Sequence, residues 1–230
     1  MFLNASLLNT ILLSLRKVDP SYDDVKVVST VAGGSINDCF RLQSGGDYFF
    51  LKINSSARYP SMFFAESEGL KRIGATNSVR VPQILAAGVE SGEQFLLMEW
   101  VQSGRASRSS LEVLGARLAA LHRNSARSFG LDHDNYMGSL PQKNSYSDNW
   151  TDFFINNRLL PQIELASNKG ILDPAMVAGF HVLFSKLGNL TPSEKPSLVH
   201  GDLWRGNYMI NLTGDPVLID PAITYGHRGS

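Results

Sequence analysis

The residues best suited to chemistry lie near the end of the sequence. They are the run His200-Gly201-Asp202-Leu203-Trp204-Arg205-Gly206-Asn207 and, thirteen positions after Asn207, Asp220. A carboxylate such as Asp202 can take the proton of a hydroxyl nucleophile. The oxygens of Asn207 and Asp220 are hard ligands of the kind that Mg²⁺ prefers. Because phosphoryl transfer needs both functions, the pattern predicts Asp202 as a base and Asn207 and Asp220 as magnesium ligands.

The spacing of these residues strengthens the prediction. Asp202 and Asn207 have the separation found in the protein-kinase catalytic loop H-R-D-x-x-x-x-N, and Asp220 stands where the metal-binding aspartate follows a short hairpin. Any one of them alone is better explained as a loop cap or a strand end. The set in this order, with His200 and Gly201 at the expected offsets, favours a catalytic site.

An ATP site also needs groups that contact the phosphates, and the first hundred residues offer them. Gly33-Gly34-Ser35 lies between two predicted strands, where backbone N–H groups could approach phosphate oxygens, although such turns are common. Lys52 lies in the middle of a strand-like run, which is an unfavourable place for an unpaired charge. Glu66 is its expected partner and Glu68 the competitor, and a lysine on a solvated edge strand is the alternative interpretation.

The segment Leu96 to Val101 runs into a polar stretch rich in Ser, Gly and Arg. A kinase-like protein exposes backbone N–H and C=O groups to adenine at such a position, so Glu99 and Trp100 are predicted hinge residues. A strand end closed by an aromatic side chain explains their side chains equally well. The sequence contains no G-x-x-x-x-G-K-[ST], which disfavours a Walker-type NTPase.

Composition narrows the class of protein and of partner. Twenty-one basic residues balance twenty-one acidic ones, so no overall field favours nucleic acid or an anionic membrane, and a small-molecule substrate is expected. Cys39 is the one cysteine, which excludes an internal disulfide and indicates a reducing compartment, the cytoplasm by default. No stretch approaches the ~20 apolar residues of a membrane span.

The periodicity of the sequence predicts an α+β, two-lobed, kinase-like fold. A helical pattern from Leu7 to Leu15 is followed by alternation and turn residues that indicate five strands and a helix, 61–73, within an N-terminal nucleotide-binding lobe at 1–102. A helical lobe follows at 103–230, with helices at 111–121, 150–166 and 175–187. A strand pair near its end, 208–212 with 216–219, leads to Asp220.

Blocks of specific residues extend along nearly the whole chain. They are Gly34-Ser35-Ile36-Asn37, the run Phe129 to Gly138, Pro141-Gln142, Trp150 to Phe154, Arg158 to Gln162, His200 to Asn207, Asp220-Pro221-Ala222 and Tyr225 to Arg228. Together they resemble the fructosamine kinase family, also called ketosamine-3-kinases. The pattern H-G-D-x-x-x-x-N with a later Asp is shared with aminoglycoside phosphotransferases and choline kinases. Leu203-Trp204 and the block F-G-x-x-x-D-N-Y-x-G narrow the resemblance to this family.

The resemblance implies an ATP- and Mg²⁺-dependent enzyme that phosphorylates the sugar 3-hydroxyl of ketoamines, a step in repair of glycated amines or protein lysines. It implies that Asp202 is the base, that Asn207 and Asp220 bind magnesium, and that Lys52 contacts phosphate with Glu66 as partner. Family members continue into further helices beyond the position of Ser230, so we expect an incomplete C-terminal lobe. A related aminoglycoside or choline-type kinase and a catalytically silent kinase-like fragment are the alternatives. The oligomeric state is left open.

Overall fold

The computed structural model describes residues 3–32 and 36–229, which form a mixture of strands and helices. The strands are β1 (Lys26–Thr30), β2 (Asp38–Ser44), β3 (Asp47–Ser55), β4 (Ile84–Glu90), β5 (Glu93–Glu99), β6 (Asn135–Met137), β7 (Leu140–Gln142), β8 (Ser197–Val199), β9 (Tyr208–Ile210), β10 (Pro216–Leu218) and β11 (Thr224–Gly226). The helices are α1 (Ala5–Val18), α2 (Met62–Ala75), α3 (Arg108–Leu121), α4 (Trp150–Phe154), α5 (Leu160–Asn168) and α6 (Pro174–Leu190). Among the helices so described, none is long and apolar enough to cross a membrane.

The chain divides into two compact units. One contains Met1–Leu118 with Asp202–Pro221, and the other contains Ala119–Gly201 with Ala222–Ser230. The segment with Asp202, Asn207 and Asp220 therefore groups with strands β1 to β5. A lobe boundary near residue 102 stays a prediction.

The first unit is built on an antiparallel sheet in the order β1-β2-β3-β5-β4. Its centre is β3, where buried apolar side chains fit the interior of a sheet. Helix α1 adds Leu7, Ile11 and Leu15, spaced by four residues so that they share one face, to the same core as Leu51 and Leu97. This core fixes the strand that carries Lys52.

Helix α2 packs against β4 and β5 and buries eight of its residues. Seven of the eight lack a charge, and the exception is Glu66. Gln94 of β5 anchors the start of the helix, since its Oε1 accepts a hydrogen bond from the Phe63 backbone N–H at 3.3 Å. The apolar face of α2 thus holds a carboxylate in the interior of the unit.

A short hairpin of β9 and β10 completes the first unit. The side chain of Asn211 shapes its turn by accepting hydrogen bonds from the backbone N–H groups of Thr213 and Asp215 at 3.0 and 2.8 Å. On its outer side, the Leu218 N–H donates to the Arg80 carbonyl at 2.9 Å. The hairpin connects Asn207 at its start to Asp220 just beyond its end.

The second unit contains two small strand pairs, β6 with β7 and β8 with β11, and most of the helices. The 150–166 segment, predicted as one helix, is α4 and α5 joined by a π-helical segment, Ile155–Leu159. Trp150 packs its ring 5.3 to 5.9 Å, between centroids, from Phe129, Phe153, Phe154 and His227. Several of the blocks that carry the family resemblance therefore meet in one aromatic cluster.

Candidate active site

Lys52 lies at the centre of the site and is only 3% exposed. Its Nζ stands 2.8 and 2.9 Å from the two carboxylate oxygens of Glu66 and 2.7 Å from Asp220 Oδ1. Glu68, the competing partner, pairs instead with Lys71 on the surface at 2.9 Å. One buried cation thus joins two carboxylates that come from α2 and from the end of the β9–β10 hairpin.

Burial and charge act in opposition on this group. Burial alone would lower the pKa of Lys52, but the charges of Glu66 and Asp220 outweigh it and raise the pKa above its ordinary value. Burial raises the pKa of the Glu66 carboxyl to about 7, because Lys52 offsets only part of that effect and the Asp220 charge adds to it. Lys52 therefore stays charged, and the buried Glu66 carboxyl is more readily protonated than an exposed one.

The backbone at Asp220 is in the left-handed region, with φ of 53°. This conformation is uncommon for residues other than glycine, and Asp is one of the few that tolerate it. The Ile219 N–H just before it donates to the Asn207 carbonyl at 3.1 Å. The strained residue is thus held beside Asn207, as is frequent at functional sites.

Asp202 and Asn207 are joined by a short loop that ends in the 3₁₀ turn Arg205–Asn207. The Asn207 side-chain nitrogen donates to the Asp202 carbonyl at 2.8 Å and to Asp202 Oδ2 at 3.0 Å. Because the amide nitrogen is used on Asp202, the amide oxygen is the atom that remains for a cation. Asn207 therefore orients the carboxylate of Asp202 from a position next to Asp220.

The structure explains why two positions of this loop are glycine. Gly201 has a φ of 81°, and a side chain there would overlap the carbonyl oxygen of Ala222. A side chain at Gly206 would overlap the ring of Trp204, which folds over it. The glycines of the H-G-D and G-N pairs thus allow close packing of the loop, which is a structural cause for part of the motif.

A cavity of about 430 Å³ opens beside these residues. Its lining includes five of the predicted site residues: Lys52, Glu99, Trp100, Asn207 and Asp220. Glu66 lies behind Lys52, and Asp202 is joined to the lining through Asn207. Gly33, Gly34 and Ser35, predicted to contact phosphate, lie outside the described residues.

Much of the lining is apolar, and this part was not predicted. It comprises Val31, Ala32, Phe50, Pro82, Met98, Val101, Met209 and Ile219, and Cys39 also contributes. Strand alternation could have identified Phe50, which is two residues from Lys52 on the same face. Burial raises the pKa of the Cys39 thiol to about 11, so the thiol is a poor nucleophile. An apolar cavity with polar groups at one end suits a flat base attached to a charged chain.

The two predicted hinge residues use their side chains within the protein. Glu99 accepts hydrogen bonds from Arg80 at 3.1 and 3.2 Å and from the Gln83 backbone N–H at 3.1 Å. The N–H groups of Glu99 and Trp100 donate to carbonyls of neighbouring segments. Among the described residues we find no acceptor for the N–H of Val101, which is 8% exposed and lines the cavity. At this position the group left for a ligand is therefore the Val101 backbone N–H and not the Glu99 carboxylate.

The protein oxygens at this site could hold a magnesium ion only if phosphate oxygens completed its coordination. In residues 3–32 and 36–229, no three His, Cys, Asp or Glu side chains stand together in a way that could hold a metal. Mg²⁺ commonly binds through one or two carboxylates, water and substrate phosphates rather than an all-protein cage. Asp220 and the amide oxygen of Asn207, next to the cavity, match that type of site.

The sheet, the buried lysine pair and the loop together define a kinase-like phosphotransferase fold. A solved aminoglycoside phosphotransferase matches 94% of this chain and 73% of its own length with a TM-score of 0.64. At 16% sequence identity, this likeness shows the fold alone. The predicted fold class is confirmed.

The sequence model of the family described as "Fructosamine kinase" matches residues 9–230, so the chain belongs to the fructosamine kinase family. A "Probable ketoamine kinase" of Synechocystis is 40% identical over 200 residues, which are 86% of this chain and 66% of the relative. The chloroplastic protein-ribulosamine 3-kinase of Arabidopsis thaliana is 36% identical, over 87% of this chain and 62% of the relative. A crystal structure from Haemophilus somnus that carries the name fructosamine-3-kinase matches with a TM-score of 0.85 at 28% identity, over 95% of this chain and 73% of that one.

Proposed function

We propose that this protein transfers the γ-phosphate of ATP to the sugar 3-hydroxyl of a ketoamine, a glycation adduct of the fructosamine or ribulosamine type. The observation that carries the proposal is the buried triad of Lys52, Glu66 and Asp220 at one end of an apolar cavity, with Asn207 beside it. The names of the sequence relatives, a ketoamine kinase and a protein-ribulosamine 3-kinase, support this choice of substrate.

Each residue has a defined task in this proposal. Asp202, oriented by Asn207, orients the sugar hydroxyl and takes its proton as the oxygen attacks phosphorus. Lys52 contacts the phosphates and is held in place by Glu66. The apolar lining between Phe50 and Met209 receives the adenine, and Val101 N–H is a donor for it.

Asn207 and Asp220 would hold magnesium, which when bound neutralises the charge of the phosphates. Asp220→Ala should weaken ATP binding in the presence of Mg²⁺ far more than in its absence, since the carboxylate acts through the ion. Isothermal titration calorimetry with and without Mg²⁺ measures both affinities. Equal losses under the two conditions would mean that Asp220 has a structural role only.

The division into a nucleotide-binding lobe before residue 102 and a helical lobe after it is part of the proposal. Gly33, Gly34 and Ser35 contact the phosphates in this scheme. The reaction takes place in the cytoplasm, since a chain with one unpaired cysteine suits a reducing compartment.

The experiment that tests the proposed function measures ATP-dependent phosphorylation of synthetic ribulosamine and fructosamine, with an aminoglycoside and choline as comparison acceptors. Phosphate transfer to a ketoamine, and not to the comparison acceptors, is the expected result. Asp215→Asn is a matched control for Asp220→Ala, because this exposed carboxylate lies in the same hairpin, accepts a hydrogen bond from the Thr213 hydroxyl and does not line the cavity. Transfer to the aminoglycoside alone, or ATP binding with no transfer to any acceptor, would overturn the proposal.

A further inference from the structure

The register of the sheet places an arginine beside a residue that lines the cavity. Cys39 and Lys52 face each other across β2 and β3, and both line the cavity. Arg41 and Phe50 are the next facing pair on the same side of the sheet, because side chains alternate along a strand. Phe50 also lines the cavity, whereas Arg41 reaches it only through a neighbour.

That neighbour is Trp100. The guanidinium carbon of Arg41 lies 3.7 Å from the centroid of the Tyr48 ring and 4.7 Å from the centroid of the Trp100 ring. Both distances are within the ~6 Å limit of a cation–π contact. Trp100 also stands 6.2 Å, between ring centroids, from Phe50. The indole is thus close to both Arg41 and Phe50.

The contacts of Arg41 are unusual for a structural arginine. Among the described side chains it has no ion-pair partner, and its buried Nε–H has no hydrogen-bond acceptor. Leaving a buried donor unpaired is unfavourable, so an arginine retained only for stability would normally be paired. The two aromatic rings are the groups that hold this side chain.

We propose that Arg41 is a positioning residue for the nucleotide base. It holds the indole of Trp100 against Phe50, so that the far end of the cavity has a fixed wall before the nucleotide arrives. The inference rests on the proposed function, because it takes the apolar part of the cavity as the base site. It extends that function because Arg41 would raise the affinity for the base through Trp100, without touching the nucleotide itself.

Three variants and one control test the proposal. Arg41→Met keeps most of the length of the side chain but removes the cation, so KM for ATP should rise about three- to tenfold while kcat stays within about twofold. Arg41→Lys should give an intermediate rise, because an ammonium group stacks less well than a guanidinium. Tyr48→Leu, which removes the second ring, should cause a smaller rise of the same kind.

Arg58→Met is the matched control, since Arg58 makes a similar contact with Tyr59, at 5.3 Å, and neither residue lines the cavity. It should leave KM unchanged. If Arg41→Met unfolds, Tyr48→Leu supplies the same comparison. Unchanged KM for ATP in both variants, or a rise equal to that of Arg58→Met, would overturn the inference.

Inorganic tripolyphosphate, used as an inhibitor that competes with ATP, distinguishes an effect on the base from an effect on the phosphates. Its inhibition constant should be the same for the wild type and Arg41→Met, because it has no base. An equal loss for tripolyphosphate and ATP would mean that Arg41 attracts phosphate, and the inference would be wrong. Failure of the wild type to bind ATP would instead remove the proposed function and this inference together.

Discussion

Helices α2 and α6 are both apolar in sequence, yet they differ completely in burial. Helix α2 buries eight residues, including Phe63 and Leu70. Helix α6 is longer and more apolar, and none of its residues is buried in the structure as described. Val182 and Leu190 of α6 are 57% and 67% exposed. Hydrophobic periodicity therefore identified both helices but did not say which of them has a covered face.

The difference follows from what lies against each helix. Helix α2 packs on β4 and β5 within the unit that holds the candidate site. Helix α6 belongs to the other unit, and in the described part of the chain no element covers its apolar residues enough to bury them. We infer that the elements of the first unit are enough to hold the candidate site in place, whereas α6 contributes little to stability in this chain.

The largest expected effect is at Lys52. Lys52→Met leaves the carboxylates of Glu66 and Asp220 without their cation, and removing one partner of a buried ion pair costs about 3–5 kcal/mol. Lys71→Met, which breaks the exposed pair with Glu68, should cost about 0–1 kcal/mol. Denaturant unfolding of both variants measures the difference. Equal losses would show that the buried triad does not stabilise the first unit.

The next effect tests the two helices directly with the same substitution. Leu70→Ala in α2 removes a side chain with no exposed surface and should lower the free energy of unfolding by about 2–5 kcal/mol. Leu183→Ala in α6, where the side chain is 39% exposed, should cost less than about 1 kcal/mol. A loss at Leu183 as large as that at Leu70 would mean that α6 is covered in solution.

A smaller effect concerns pH. The pKa of Glu66 is raised to about 7 by burial, so the native state holds this proton more tightly than the unfolded chain does. Its contribution to stability is present below about pH 4.5 and is lost as the pH rises through about 7. The unfolding free energy of the wild type should therefore fall relative to that of Glu66→Gln as the pH rises over this range. Glu68→Gln is the control, and a difference that is independent of pH would contradict the prediction.

The smallest effect concerns association through α6. Its exposed apolar residues should favour contact between molecules at high concentration, since contiguous apolar surface promotes association. The double variant Val182→Ser with Leu190→Ser should shift the sedimentation profile toward the monomer. An unchanged profile, with the wild type monomeric throughout, would show that this surface is harmless.

Local patterns predicted the parts of the fold that local interactions form. The strands of the first sheet, α2 and the β9–β10 hairpin have alternation, period and turn residues that can be recognised without a structure. Strands β6, β7, β8 and β11 were missed because three residues are too few for alternation to be recognised, and the pairing of β8 with β11 also joins distant segments. The π-helical segment within 150–166 was missed for a similar reason, since it has no distinct periodicity.

The site shows the same division. The structure brings together Lys52, Glu66, Asn207 and Asp220, which the motif spacing had selected, and the predicted family is confirmed. The roles given to these residues stay predictions. The hydrogen bond from Arg80 to Glu99 and the apolar lining from Met98 and Met209 depend on tertiary packing, which a local sequence pattern cannot predict.

The measurement that tests the central claim most directly compares phosphate transfer and ATP binding in Asp202→Asn. The substitution keeps the shape of the side chain and an oxygen that can accept from Asn207, but it removes the base. Turnover of a ketoamine should fall by about 10²–10⁴, with the dissociation constant for ATP unchanged within about twofold. Turnover close to that of the wild type would contradict the assignment of Asp202 and, with it, the proposed mechanism.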